Sequence, residues 1–164
     1  MSDAGALVRH ANDAEVARQL RDRFPHPYRV EDARAFLKLV VRAAPSTNFA
    51  IVVEGEACGG VGCVPGSDIE RFSAEVGYWL GRERWGRGIA SEALRLLTGF
   101  AFGELGLLRL FALPFADNAA SIRVLEKAGF RREGTLHASA VKFGQPRDQA
   151  MYALVNERWR HDII

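Results

Sequence analysis

The stretch Tyr78-Trp79-Leu80-Gly81-Arg82-Glu83-Arg84-Trp85-Gly86-Arg87-Gly88-Ile89-Ala90-Ser91 constrains the fold most, because the hydrophobic period changes across it. Before the glycines, Glu75, Gly77 and Trp79 alternate with Val76, Tyr78 and Leu80, as on the two faces of a strand. After them, Ala90, Ala93, Leu94, Leu97 and Ala101 form one stripe of a helix expected over residues 88–103. A strand therefore enters a helix through a glycine-rich turn. Glycines let a backbone come close to a bulky anion, the first helical amides lack internal partners, and the aligned peptide dipoles leave partial positive charge there. Arg82, Arg84 and Arg87 add full charges. The glycine spacing alone fits an ordinary loop beside surface arginines equally well.

The kind of phosphate ligand can be narrowed. A Walker loop requires Gly-Lys-Ser/Thr at the helix start, which is absent. Gly86-Arg87-Gly88-Ile89-Ala90-Ser91 loosely imitates a dinucleotide fingerprint, but that motif ends the first strand of a parallel sheet buried on both faces. Here the strand alternates, and no acid stands about 20 positions on at a strand end to meet the ribose, which argues against NAD.

The surrounding chain reads as α+β with one mixed sheet. A first helix is expected over residues 12–23, capped by Asn12 or Asp13, then a break at Phe24-Pro25-His26-Pro27-Tyr28 with exposed rings. A second helix starts near Glu31 and Asp32 and ends before Pro45. Strands are expected over 49–53, 57–64 and 72–80, and another over 107–113. Asn118 caps a helix over 119–128 that Gly129 terminates, and strands over 135–143 and 148–155 form a hairpin about a turn at 144–147. Cys58 and Cys63 have opposite parity, so an extended strand would point them to opposite faces as free buried thiols.

At 164 residues the chain suits one domain, 1–164. Its 22 Lys and Arg against 20 Asp and Glu leave a net charge of +2, far from the basic excess of a nucleic-acid binder. No apolar run reaches the roughly 18 residues of a membrane span, so a cytoplasmic protein with no membrane partner is expected. The four histidines are scattered, and no metal is implied.

Glu75-Val76-Gly77-Tyr78-Trp79-Leu80 followed by Trp85-Gly86-Arg87-Gly88-Ile89-Ala90-Ser91-Glu92-Ala93-Leu94 resembles the central coenzyme A motif of the GNAT superfamily N-acetyltransferases, in the Rim-like branch that includes the ribosomal-protein alanine acetyltransferases. Asn118-Ala119-Ala120-Ser121 with Leu125-Glu126-Lys127-Ala128-Gly129-Phe130 is similar to the motif that follows, and the segment from Phe24 to Ala33 resembles the amino-terminal half. The resemblance implies a GNAT fold: a mostly antiparallel sheet with a central parallel pair splayed to bind the coenzyme, flanked by helices. It implies acetyl-CoA as co-substrate. The amides from Trp85 through Gly86, Arg87, Gly88, Ile89 and Ala90 to Ser91 would hold its pyrophosphate, the strand edge near Leu80 would pair with the pantetheine arm, and Asn118 and Ser121 would face the same arm. Lys127, Arg131 and Arg132 would meet the adenosine phosphate or only water. Leu125 stands where many relatives carry a tyrosine, which leaves the general acid open. The resemblance leaves the acceptor open among a peptide amino terminus, a polyamine and another small-molecule amine, and a homodimer is common among such proteins.

Acetyl transfer from a thioester needs a neutral amine, which for a lysine-like group is on the order of one part in a thousand at pH 7, at a cost of roughly 4 kcal/mol. Glu75, on the strand leading to the turn, is the first candidate to take the proton; the alternative is a strand-face glutamate paired with an arginine. A backbone amide near Leu80 suits the developing oxyanion. Ser121, Tyr78 and Tyr152 are candidates for protonating the departing thiolate, and His137 reads as a surface residue. The Phe24–Tyr28 loop and the terminal hairpin are expected to wall the acceptor channel. The competing function is a catalytically inactive acyl-CoA-binding module that keeps the turn and uses Glu75 and Leu125 structurally.

Overall fold

A computed structural model describes residues 3–159. Helices α1 (Ala4–Ala11), α2 (Ala14–Ala17) and α3 (Val30–Val41) precede strands β1 (Asn48–Val53), β2 (Glu56–Pro65) and β3 (Ser73–Leu80). Then come α4 (Ile89–Gly103), β4 (Arg109–Ala112), α5 (Ala119–Lys127), β5 (Arg131–Lys142) and β6 (Gln145–Val155). The six strands form one sheet in the order β1-β2-β3-β4-β6-β5, and β3 with β4 is its parallel pair. The α+β architecture with a mixed, mostly antiparallel sheet is as the sequence implies.

The amino-terminal helices differ from expectation. Residues 4–11 are helical, whereas of the helix expected over 12–23 one turn forms, because Asn12 ends α1 and its side chain accepts the Tyr28 amide at 2.9 Å. Asp13 then caps α2 through the Glu15 amide at 2.7 Å. The rings of the following loop are not exposed: Tyr28 is buried, stacks on Phe24 at 4.9 Å, and Phe24 meets Trp79 edge-on at 5.4 Å. At α3, the Asp32 carboxylate accepts the Arg29 amide at 2.8 Å, fixing the helix start.

Strand alternation divides the apolar residues between two cores. Cross-strand pairs Val61–Tyr78 and Cys63–Val76 face α4 and α5, where Leu94, Leu110 and Leu125 are fully buried. Each such leucine contributes roughly 1.5–3 kcal/mol. Trp79 and Ala57 face α1 and α3, with Leu7, Ala33 and Tyr28. Cys58 and Cys63 are free and buried, but they share the α4-side core rather than opposite faces. A bulge between Ile51 and Val52 pairs those residues with Gly59 and Ala57, so Cys58 is the extra residue and parity resets at it. The terminal hairpin closes at Phe143-Gly144, both at positive φ, rather than over 144–147, so 145–147 join its second strand, and its first strand begins earlier than expected, at Arg131.

The sheet opens between β3 and β4. Their pairing covers Ser73–Arg109, Ala74–Leu110 and Glu75–Phe111 and then stops, although β3 continues to Leu80. Beyond β4 the chain is bound to β6 instead: Gln149 Nε2 donates to the Leu113 carbonyl and the Ala150 amide to the Pro114 carbonyl, both at 2.9 Å. The Gly81 amide donates to Cys58 O at 2.8 Å, so by alternation the backbone groups of Tyr78 and Leu80 point away from β2 into the gap.

Candidate active site

The turn after β3 winds tightly and then opens. The Arg84 amide reaches Gly81 O at 2.9 Å, and Trp85 Nε1 donates to the Leu80 carbonyl at 2.7 Å, pinning the indole to the strand end. Gly86 (φ 75°) and Gly88 (φ 77°) sit in the left-handed region, which a residue with a Cβ enters only at a cost. A Cβ at either would meet nothing within 4 Å, so the space in front of both is open. Gly88 begins α4 without a side-chain cap, and the amides of Ile89, Ala90 and Ser91 have no acceptor within their helix. Arg82 pairs with Asp13 at 4.0 Å and Arg84 with Glu54 at 3.3 Å, while Arg87 has no ion-pair partner among the described residues. Uncapped amides, an open approach and an unpaired arginine match the donors that a pyrophosphate requires. The Leu80 carbonyl is already used by Trp85, so at that residue the amide, not the carbonyl, is offered to the gap.

The opposite wall is the start of α5. Asn118 Oδ1 accepts the Ser121 amide at 3.1 Å, capping the helix as expected. The Tyr78 hydroxyl donates to the Ser121 carbonyl at 3.1 Å and lies 2.7 Å from Ser121 Oγ. Burial pushes the Tyr78 phenol up to about 12, against a smaller opposing effect of the Ser121 hydrogen bond. Tyr78, Ser121 and Asn118 are thus brought together across the gap. Tyr152 is not part of this group: its hydroxyl donates to Glu126 Oε1 at 3.0 Å, and burial followed by that carboxylate raises its phenol.

A cavity of about 290 Å³ runs through the gap and is lined from both faces of β3. Val76 and Tyr78, with Ser121, line it on the α5 side; Glu75 and Trp79 line it on the other. Glu75 is ion-paired with Arg21 through Oε1 and keeps 28% of its side-chain surface exposed. Glu75 thus has the arginine partner of the second reading and also lines the cavity. Phe24 and Tyr28 wall the cavity as expected, but the terminal hairpin does not. It braces the wall from behind, since the buried Lys142 binds Asp22 at 2.7 Å, next to Arg21 and Arg23. His137 is a surface residue paired with Asp148 at 3.0 Å, and Lys127, Arg131 and Arg132 are exposed. Gln19, Arg21 and Arg23 also line the cavity. No sequence signal marked them, because their stretch reads as one helix whereas the chain breaks after α2. Among the described residues no cluster of three metal-binding side chains occurs, and no helix is long and apolar enough to cross a membrane.

Residues 1–131 match the family model described as an acetyltransferase (GNAT) domain. The chain belongs to the GNAT acetyltransferase family. It is 30% identical to the uncharacterized N-acetyltransferase p20 of Bacillus licheniformis over 162 residues, covering 97% of this chain and 90% of p20. The match to the uncharacterized N-acetyltransferase YoaA of Bacillus subtilis is 41% identical over 85 residues, 52% of this chain and 48% of YoaA, so it spans about half of that relative. Mycobacterium smegmatis RimJ, solved in complex with CoA-disulfide, superposes with a TM-score of 0.79 at 26% identity, covering 98% of this chain and 80% of RimJ. The Rim-like character of the motifs and the GNAT fold are therefore both present, and the acetyl donor of the GNAT family is acetyl-CoA.

Proposed function

We propose that this chain is a single-domain, cytoplasmic N-acetyltransferase that passes an acetyl group from acetyl-CoA directly to a primary amine, without a covalent enzyme intermediate. The observation that carries the reading is one cavity continuous through the β3–β4 gap, with Glu75 on one face of β3 and the Tyr78–Ser121 pair on the other. The CoA bound to RimJ and the open, uncapped turn at Gly88 support the donor assignment.

Bound there, acetyl-CoA supplies an activated thioester. The amides from Trp85 to Ser91 would take its pyrophosphate, and the gap-facing backbone of Tyr78 and Leu80, with Asn118 and Ser121 opposite, would hold its pantetheine arm. The Leu80 amide, facing the gap, would donate to the thioester oxygen as it gains charge. Glu75, with Oε1 held by Arg21, takes the ammonium proton through Oε2, directly or by a water. The nitrogen lone pair then forms the new C–N bond as the C–S bond breaks, and the second nitrogen proton passes by way of water to the departing thiolate, giving CoA thiol. Tyr78 stays protonated at neutral pH, and its one O–H, turned from the Ser121 carbonyl to the departing sulfur, would donate a hydrogen bond there while the Ser121 hydroxyl donates to the phenol oxygen. A phenol near 12 holds its proton more tightly than a thiol near 8.5, so Tyr78 stabilises charge rather than surrendering a proton outright.

Mixing the protein with acetyl-CoA and a panel of amines, and following thiol release with the mass of the product, tests this. An acetylated amine with unmodified protein is the expected result. Acetyl found on the protein as an intermediate, or no product from any amine, contradicts it.

A further inference from the structure

On the Glu75 side, one charged group lining the cavity has no partner among the described residues. Arg23 lines the same cavity and is in no ion pair. Arg21 is already committed to Glu75, the lining's one acid, so the two arginines leave the cavity net positive. The remaining wall is aromatic, with Phe24, Tyr28, Phe36 and Trp79.

A polyamine fits these surroundings poorly, because its several cations would face two arginines and one carboxylate that is already paired. We infer that the acceptor is an amine that also carries a carboxylate on an apolar or aromatic body, as an amino acid or short peptide does. Its carboxylate pairs with Arg23, and its apolar part lies on the aromatic wall with the amine toward Glu75. The inference rests on the acetyltransferase reading above and names the substrate class for that same site.

Steady-state acetylation of matched amines tests it: L-phenylalanine against phenethylamine, L-leucine against isopentylamine, and spermidine, with wild type and Arg23→Gln. The carboxylate-bearing member of each pair is expected to have a kcat/KM at least tenfold higher than its decarboxylated twin. Arg23→Gln is expected to erase that preference by raising KM for the carboxylate-bearing amines, leaving the KM for acetyl-CoA unchanged. Equal or better use of the decarboxylated amines or of spermidine would overturn the inference, as would a preference that survives Arg23→Gln. CoA binding is read on the same samples by melting temperature. A protein that binds CoA but acetylates neither member of either pair overturns this inference alone, whereas one that does not bind CoA overturns the reading beneath it as well.

Discussion

The Tyr78 hydroxyl lies 2.7 Å from Ser121 Oγ, joining the open edge of β3 to the first turn of α5 across the gap through which the cavity runs. Because burial raises this phenol to about 12, it is protonated in both folded and unfolded chains below about pH 10. Between about 10 and 12 the unfolded chain ionises first, so its stabilising contribution, on the order of 2–3 kcal/mol, is lost as the pH rises through that window. All three phenols are raised by burial. Ultraviolet titration of the folded protein is expected to show one phenol ionising near 12, and Tyr78→Phe to remove that group while lowering kcat by about 10- to 100-fold. A Tyr78 phenol that ionises near 10 would contradict the packing.

Glu75 and Arg21 make the second testable pair. Glu75→Gln keeps the shape but cannot take a proton, so kcat is expected to fall by about a hundredfold or more while the melting shift produced by CoA stays as in wild type. An unchanged kcat would reduce Glu75 to a strand-face partner of Arg21.

Asn118→Ala removes the cap that holds the Ser121 amide at 3.1 Å, and is expected to cost about 1 kcal/mol, or about 2–4 °C in Tm for a chain of this length. Its effect on coenzyme affinity should exceed its effect on stability, since the same turn of α5 carries Ser121. Calorimetry with and without CoA separates the two.

Gly81 and Gly99 should respond in opposite directions. A Cβ at Gly81 would lie 2.5 Å from His10 Nδ1 and 2.8 Å from His10 Cβ, inside a buried contact between α1 and the start of the turn. Gly81→Ala is expected to destabilise by about 1–3 kcal/mol. Gly99 is exposed on α4 with nothing within 4 Å of its Cβ position, so Gly99→Ala is expected to stabilise by about 0.5–1 kcal/mol. Thermal melts of the two variants check both signs.

What the sequence disclosed follows the range of the forces involved. The turn from Trp85 to Ser91, the cap at Asn118 and the change of period at Leu80 are local, and each stands where the residues indicate. The placement of Cys58 was not legible, because the bulge that resets its face is a property of β1 and β2 together. Nothing local marks helix α1, since Ala4–Ala11 is held in place by Leu7 packing against Tyr28 and Ala33, residues far along the chain. The same holds for Gln19 and Arg23: an interrupted helix set against β3 brings them to the cavity, and nothing in their spacing says so.

The most direct test of the central assignment is the melting temperature in the presence of CoA, acetyl-CoA, NAD or ATP, for wild type and Gly88→Ala. Ligand at about 100 times its dissociation constant adds about 2.7 kcal/mol, a shift of several degrees. The account predicts that shift for CoA and acetyl-CoA and its loss in Gly88→Ala, whose backbone holds φ at 77° where the turn opens. No shift with either coenzyme form, or a shift with NAD instead, would contradict it.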